Sequence, residues 1–244
     1  MHRLYLDSPL QAGVVALGPS AMRHVRALRL RAGDPLVVFD GGGGQWQARL
    51  GAAGDSVELL AFEGVEREAA QAVELAVGMP ANERMDWLVE KAVELGAQGI
   101  APLMTSRAVL RLEGERAERR CAHWRGVAIA ACEQCGRNRL PQLRPVQTLE
   151  RWLRGLPAAD EAARCLLAAP SQAQAQVLPL ARWAAGVPAG QVVLVLSGPE
   201  GGLDDAEIGL ALRAGFVPVS LGPRTLRAET APLALLAGLA ALRA

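Results

Sequence analysis

The chain has 244 residues, 51% hydrophobic and 21% charged, with a formal net charge of +1. That length admits one large domain or two smaller ones, and the composition excludes a disordered or fibrous chain. No apolar run approaches the ~18 residues that cross a bilayer, and MHRLYLDSPL has no secretory apolar core, so a cytoplasmic protein without membrane attachment is expected.

Residues 1–66 alternate short apolar runs with turns. HRLYLD, GVVALG, PLVVFD, WQARL and VELLAF have strand length, and GGGG (41–44) and GAAGD (51–55) punctuate them. PSAMRHVRALRL is the exception. It opens with Pro19, and Met22, Val25, Leu28 and Leu30 form a helical stripe. Strands at this density predict a small β-barrel domain over 1–68, with VEREAAQ (65–71) as a linker.

From residue 72 strands alternate with helices, which predicts an α/β domain over 72–244 with a mainly parallel sheet covered on both faces. AVELAVGMP, GIAPLMT, RCLLAAP, QVVLVLS and FVPVSL are the strand candidates. ERMDWLVEKAVEL is a helix with Met85, Leu88, Ala92 and Leu95 on one face. ERRCAHWRGVAIAACEQC is a longer helix that stops at Gly136, and a last helix runs from Thr230 to Leu242. Parallel sheets bind ligands at the carboxyl ends of their strands. Two glycine-bearing loops sit at such ends.

The first is LSGPEGGLDDAEI. Gly198, Gly201 and Gly202 lie between a strand and a helix, with Asp204 as N-cap and Glu207 at capping-box spacing. Glycines there let a ligand approach the backbone. A plain tight turn is one account of them. Phosphate at the helix N-terminus is another, but the P-loop lysine and hydroxyl are missing and Glu200 would repel it. A carboxylate suits a cationic ligand. The second loop, LGPRTLRAET, offers Leu221 and Leu226 as apolar surface for an adenine. Gly222 frees the backbone, and Arg224 and Arg227 bring positive charge.

These two loops, with EKAVELGAQGIAPLMTSR (90–107) and AIAACEQCGRNRLPQLRP (128–145), closely resemble the bacterial 16S ribosomal RNA uridine-N3 methyltransferases of the SPOUT superfamily. RHVRALRLRAGDPLVVFDGGG is similar to that family's PUA-like barrel, so the resemblance covers nearly the whole chain. It implies a trefoil-knotted methyltransferase domain and a homodimer. It also implies methyl transfer from S-adenosylmethionine to N3 of a specific uridine in 16S ribosomal RNA (position 1498 in the usual small-subunit numbering). Cofactor contacts are then expected from Ala169, Pro170, Leu196, Ser197, Gly198, Pro199, Glu200, Gly201 and Gly202. On the second loop they are expected from Leu221, Gly222, Leu226, Arg227, Glu229 and Thr230. Asn82 departs from the pattern, because a basic residue is expected before the first helix of the catalytic domain.

The net charge gives no global nucleic-acid footprint, so arginine clusters must carry RNA binding. Arg23, Arg26 and Arg29 can share a helical face that tracks phosphates. Arg137, Asn138 and Arg139 follow a helix stop, and with Arg224 they complete the expected RNA contacts. Arg139 and Arg227 are the candidates for stabilising charge on the uracil oxygens. Each cluster also fits a merely solvated surface. CEQC (132–135) has no second cysteine pair, so a packing role is expected and no metal. Three alternatives stay open: a non-catalytic RNA-binding ribosome-assembly factor, a SPOUT methyltransferase acting on another RNA, and a nucleotide-binding protein that uses GPEGG for phosphate.

Overall fold

The structure is a computed structural model that describes residues 1–81, 83–158, 160–167 and 177–243. It divides into two compact units, Met1–Glu68 with Ile129–Leu140, and Ala69–Ala128 with Pro141–Ala244.

The first unit holds β1 (His2–Tyr5), β2 (Gly13–Ala16), α1 (Pro19–Ala27), β3 (Pro35–Phe39), β4 (Gln45–Leu50) and β5 (Ser56–Glu63). Its sheet runs β1-β3-β4-β5-β2, antiparallel except for the parallel β1–β3 pair. Alternation supplies the core. Leu36 and Val38, Ala48 and Leu50, and Val57 and Leu59 meet Leu4, and Ala21 and Val25 of α1 pack among them. The helix starts with a proline in its first turn and ends earlier than the apolar stripe suggested. The amide of Leu30 bonds the Val25 carbonyl, and Arg29 sits at φ 56°, the left-handed conformation of a helix stop.

Residues 129–140 belong to this unit, which a reading of contiguous segments does not anticipate. Their polar groups explain it. The Tyr5 amide donates to Glu133 at 3.0 Å, and Arg137 forks onto Glu68. Asn138 donates to the Val65 carbonyl and accepts from Arg3.

The second unit opens with β6 (Val73–Gly78), α2 (Arg84–Glu94), β7 (Gly99–Met104) and α3 (Gly114–Cys135), whose last turns lie in the first unit. Then come β8 (Gln142–Leu143), β9 (Gln147–Thr148), α4 (Leu149–Arg154), β10 (Ala162–Leu167), β11 (Leu178–Pro179) and α5 (Leu180–Ala185). It closes with β12 (Val192–Ser197), α6 (Asp205–Arg213), β13 (Val217–Ser220) and α7 (Thr230–Arg243). Every strand pair of this sheet is parallel, in the order β11-β13-β10-β12-β6-β7-β8, with β9 also on β7. Leu166, Leu194, Leu196, Ala76 and Leu103 pack on one face under Leu149 and Trp152 of α4 and Ala211 of α6. Helices α2 and α5 pack on α7. β12 enters between β6 and β10, so the loops that leave β12 and β13 flank the end of β10.

Candidate cofactor site

The first loop is folded tightly on itself. A side chain at Gly198 would lie 2.8 Å from the backbone of Gly202 and Leu203. One at Gly78, the last residue of β6, would lie 2.5 Å from Pro199 Cδ. Both contacts are with rigid atoms, so both positions need glycine. Asp204 and Glu207 form the capping box that opens α6. Glu207 reaches further. It accepts from the Ser106 amide at 2.7 Å and the Ser106 hydroxyl at 3.2 Å, which ties the segment after β7 to α6. Arg107 donates to the carbonyls of Gly201 at 3.1 Å and Leu203 at 3.4 Å.

Glu200 is not a bare carboxylate. Its Oε1 accepts from the Ala81 amide and from Arg84, both at 3.0 Å. Burial alone would raise its pKa, but the Ala81 amide and Arg84 outweigh that and hold it below the ordinary carboxylate range. The charge offered to a cationic ligand is therefore partly compensated, which modifies the simple attraction read from the sequence.

The second loop begins with a hydroxyl-backbone turn in which the Gly222 amide donates to Ser220 Oγ at 3.1 Å. Gly222 has φ +116°, and no atom of the described residues lies within 4 Å of the place its side chain would take. The amides of Thr230 and Ala231 bond the Arg227 carbonyl and start α7. Arg224 and Arg227 are exposed, while Leu221 and Leu226 are half-buried.

Together the loops bound a cavity of about 920 Å³, near the upper end of small-molecule sites. Ser197, Gly198, Pro199, Glu200, Gly201, Gly202, Leu221, Gly222, Arg224, Leu226 and Arg227, all singled out from the sequence, line it. Leu196 turns its side chain into the sheet core, Glu229 is buried beside Arg84, and Thr230 is the first residue of α7. Ala169, Pro170 and Asn82 lie outside the described residues. The cavity also takes residues the sequence reading missed: Arg84, Arg107, Leu166, Ile208, Leu212 and Val219. Leu166 and Val219 come from strand ends, and that position was their only signal in the sequence. The lining suits a ligand with a flat apolar part and a polar part. Leucine, isoleucine and valine supply the first surface, and loop backbone and Ser197 the second. Ser197 Oγ is buried without a hydrogen-bond partner among the described residues, an acceptor and donor ready for a ligand.

The expected RNA residues all lie in the first unit except Arg224. Arg23 and Arg26 are exposed on α1. Arg29 is exposed but beyond the helix, so it does not continue their face. Arg137 is 3% exposed and Asn138 0%, both consumed by internal bonds, so neither offers a side chain to RNA on this surface. The Arg139 guanidinium is half-exposed and pairs with Glu66 at 3.0 Å. Cys132 is fully buried, and burial pushes its thiol up to about 12. Among the described residues no group of three or more His, Cys, Asp or Glu can hold a metal ion.

A parallel sheet with this cavity at its carboxyl edge has the build of an α/β protein that binds a small-molecule ligand. The family model of the RNA methyltransferase domain matches residues 67–240, and that of the RNA methyltransferase PUA domain matches residues 20–60. The chain is 30% identical over 220 residues to ribosomal RNA small subunit methyltransferase E of Bacillus subtilis, covering 88% of this chain and 85% of that one. It is 36% identical over 218 residues to the protein of the same name from Synechocystis, covering 89% and 69%. Among solved structures, ribosomal RNA small subunit methyltransferase E from Neisseria gonorrhoeae, bound to S-adenosyl methionine, superposes with TM-score 0.86 at 35% identity over 98% of this chain and 96% of that one. A Legionella pneumophila protein in complex with bound SAM gives 0.88 at 33% identity over the same shares. The chain belongs to the ribosomal RNA small subunit methyltransferase E family.

Proposed function

We propose that this protein transfers a methyl group from S-adenosylmethionine to N3 of one uridine in 16S ribosomal RNA. The observation that carries the reading is the cavity between the two glycine loops, in a chain whose relative of the same fold is solved with that cofactor. The residues present fit it. Leu221 and Leu226 offer a slot for the adenine, the open side of Gly222 leaves room, and Ser197 Oγ has no hydrogen-bond partner among the described residues, which a polar ligand group would supply. When bound, the cofactor supplies an electrophilic methyl on a sulfonium.

The protein's own task is placement and charge. Uridine N3 gives its imide proton to solvent water, the negative charge spreads onto the flanking carbonyl oxygens, and N3 then takes the methyl as the sulfur–methyl bond breaks and S-adenosylhomocysteine leaves. In this reading Arg227 donates to those oxygens, supported by its exposed position on the cavity wall. Alignment of two bound reactants supplies much of the remaining rate. N3 lies on the pairing edge, so the target must be unpaired or extruded. Arg23 and Arg26 of the PUA domain hold phosphates, and Arg139 and Arg224 complete the RNA contacts. We further infer a cytoplasmic homodimer whose C-terminal segment is threaded as a trefoil knot.

The test uses purified protein, methyl-labelled S-adenosylmethionine, and either small subunits or free 16S RNA, followed by nucleoside analysis. Label in 3-methyluridine is expected. Cofactor binding with no transfer to either RNA would point instead to a non-catalytic assembly factor, and preference for ATP would overturn the reading.

A further inference from the structure

The loops are held by two arginines that belong to neither. Arg107 grips the backbone of the first loop. Arg84, the first residue of α2, reaches carboxylates from both. Its Nη1 lies 3.0 Å from Glu200 Oε1 and its Nε 4.0 Å from Glu229 Oε1. Arg84 and Glu200 line the cavity, and Glu229 is buried with its Oε2 lacking a hydrogen-bond partner among the described residues. One guanidinium thus faces two acidic side chains, one from each loop.

We propose that Arg84 is a positioning residue that sets the charge of the cofactor site: it joins the two loops and limits how strongly the site prefers a sulfonium to a neutral thioether. The inference rests on the S-adenosylmethionine reading above. That cofactor and its demethylated product differ by one methyl and one positive charge. A site with surplus negative charge favours the charged form, and a compensated site treats the two more evenly. In a half-exposed site one guanidinium within several ångströms changes such a preference by roughly threefold to tenfold, less in high salt. A compensated site also keeps cofactor loading from relying on charge alone.

Calorimetry with S-adenosylmethionine and S-adenosylhomocysteine tests this on the wild type, Arg84→Gln, Arg84→Lys and Glu200→Gln. Losing a purely structural contact weakens both ligands by the same factor and leaves their ratio of dissociation constants fixed. Loss of the charge moves the ratio. Arg84→Gln is expected to raise the preference for S-adenosylmethionine at least threefold, with the effect shrinking in salt. Arg84→Lys should restore the wild-type ratio, and Glu200→Gln should lower it. If Arg84→Gln does not fold, Arg84→Met, which keeps the apolar stem and removes the charge, is read by the same ratio. A ratio unmoved in a folded Arg84→Gln or Arg84→Met overturns the proposal while cofactor binding stands. A wild type that binds neither ligand overturns the cofactor reading itself, and this proposal with it.

Discussion

At the residue scale, the glycines of the first loop are not equivalent. A side chain at Gly198 would lie 2.8 Å from the backbone of Gly202 and Leu203, whereas one at Gly201 would lie 3.0 Å from Arg107 Cβ and 3.5 Å from the Arg107 carbonyl oxygen, a milder crowding. Gly198→Ala should therefore distort the loop, at the ~1–3 kcal/mol of an overpacked site. A lower melting temperature and at least tenfold weaker cofactor binding would register it. Gly201→Val is expected to push the segment that carries Arg107 outward, reducing cofactor affinity with a smaller loss in melting temperature than Gly198→Ala. Acid should also loosen the loop. Glu200 and Asp204 both titrate below the ordinary range. For Asp204 the cause is first the Glu207 amide, and for Glu200 the Ala81 amide and Arg84 prevail over burial. Lowered carboxyl pKa values stabilise the fold above the unfolded-state values and lose that contribution as pH falls through the folded ones. Cofactor affinity should hold from neutral pH to about pH 5 and decline below it; affinity that rises on acidification would contradict the assignment.

At the element scale, local patterns were legible and long-range ties were not. Strand alternation, the DDAE capping box and glycine punctuation are written within a few residues. That is why both loops and the opening of α6 could be placed from sequence. Arg84 and Arg107 act across 116 and 94 residues, and no periodicity reports such a contact. Two-residue strands such as β8 and β11 are too short to show alternation. GRNRL looked like an exposed basic loop because arginine and asparagine are usually solvated. In fact Glu68, Val65 and Arg3 satisfy Arg137 and Asn138 inside the first unit. Their burial has a cost that can be measured. Arg137→Ala leaves Glu68 without its partner in a site where the side chains are 4% and 14% exposed. It should destabilise by about 3 kcal/mol in denaturant titration, far more than an exposed arginine. Glu207→Ala should cost about 2–3 kcal/mol, because the Ser106 and Asp204 amides both lose an acceptor.

At the scale of the whole molecule, the fold class followed from strand–helix alternation, while the knot, the dimer and the target nucleotide entered only through resemblance. The two-unit division separates labour in the proposed enzyme: one unit carries the cofactor cavity, the other the exposed arginines of α1. Arg26→Ala should then reduce the salt dependence of RNA binding by roughly one ion and leave cofactor affinity unchanged, as read by filter binding across a salt series. The central claim is that both loops embrace one cofactor. Its most direct test is a crystal structure of this protein grown with S-adenosylhomocysteine. The account predicts the adenine between Leu221 and Leu226, with the rest of the ligand against residues 197–202. Ligand density elsewhere in the molecule, with this cavity left to solvent, would contradict it.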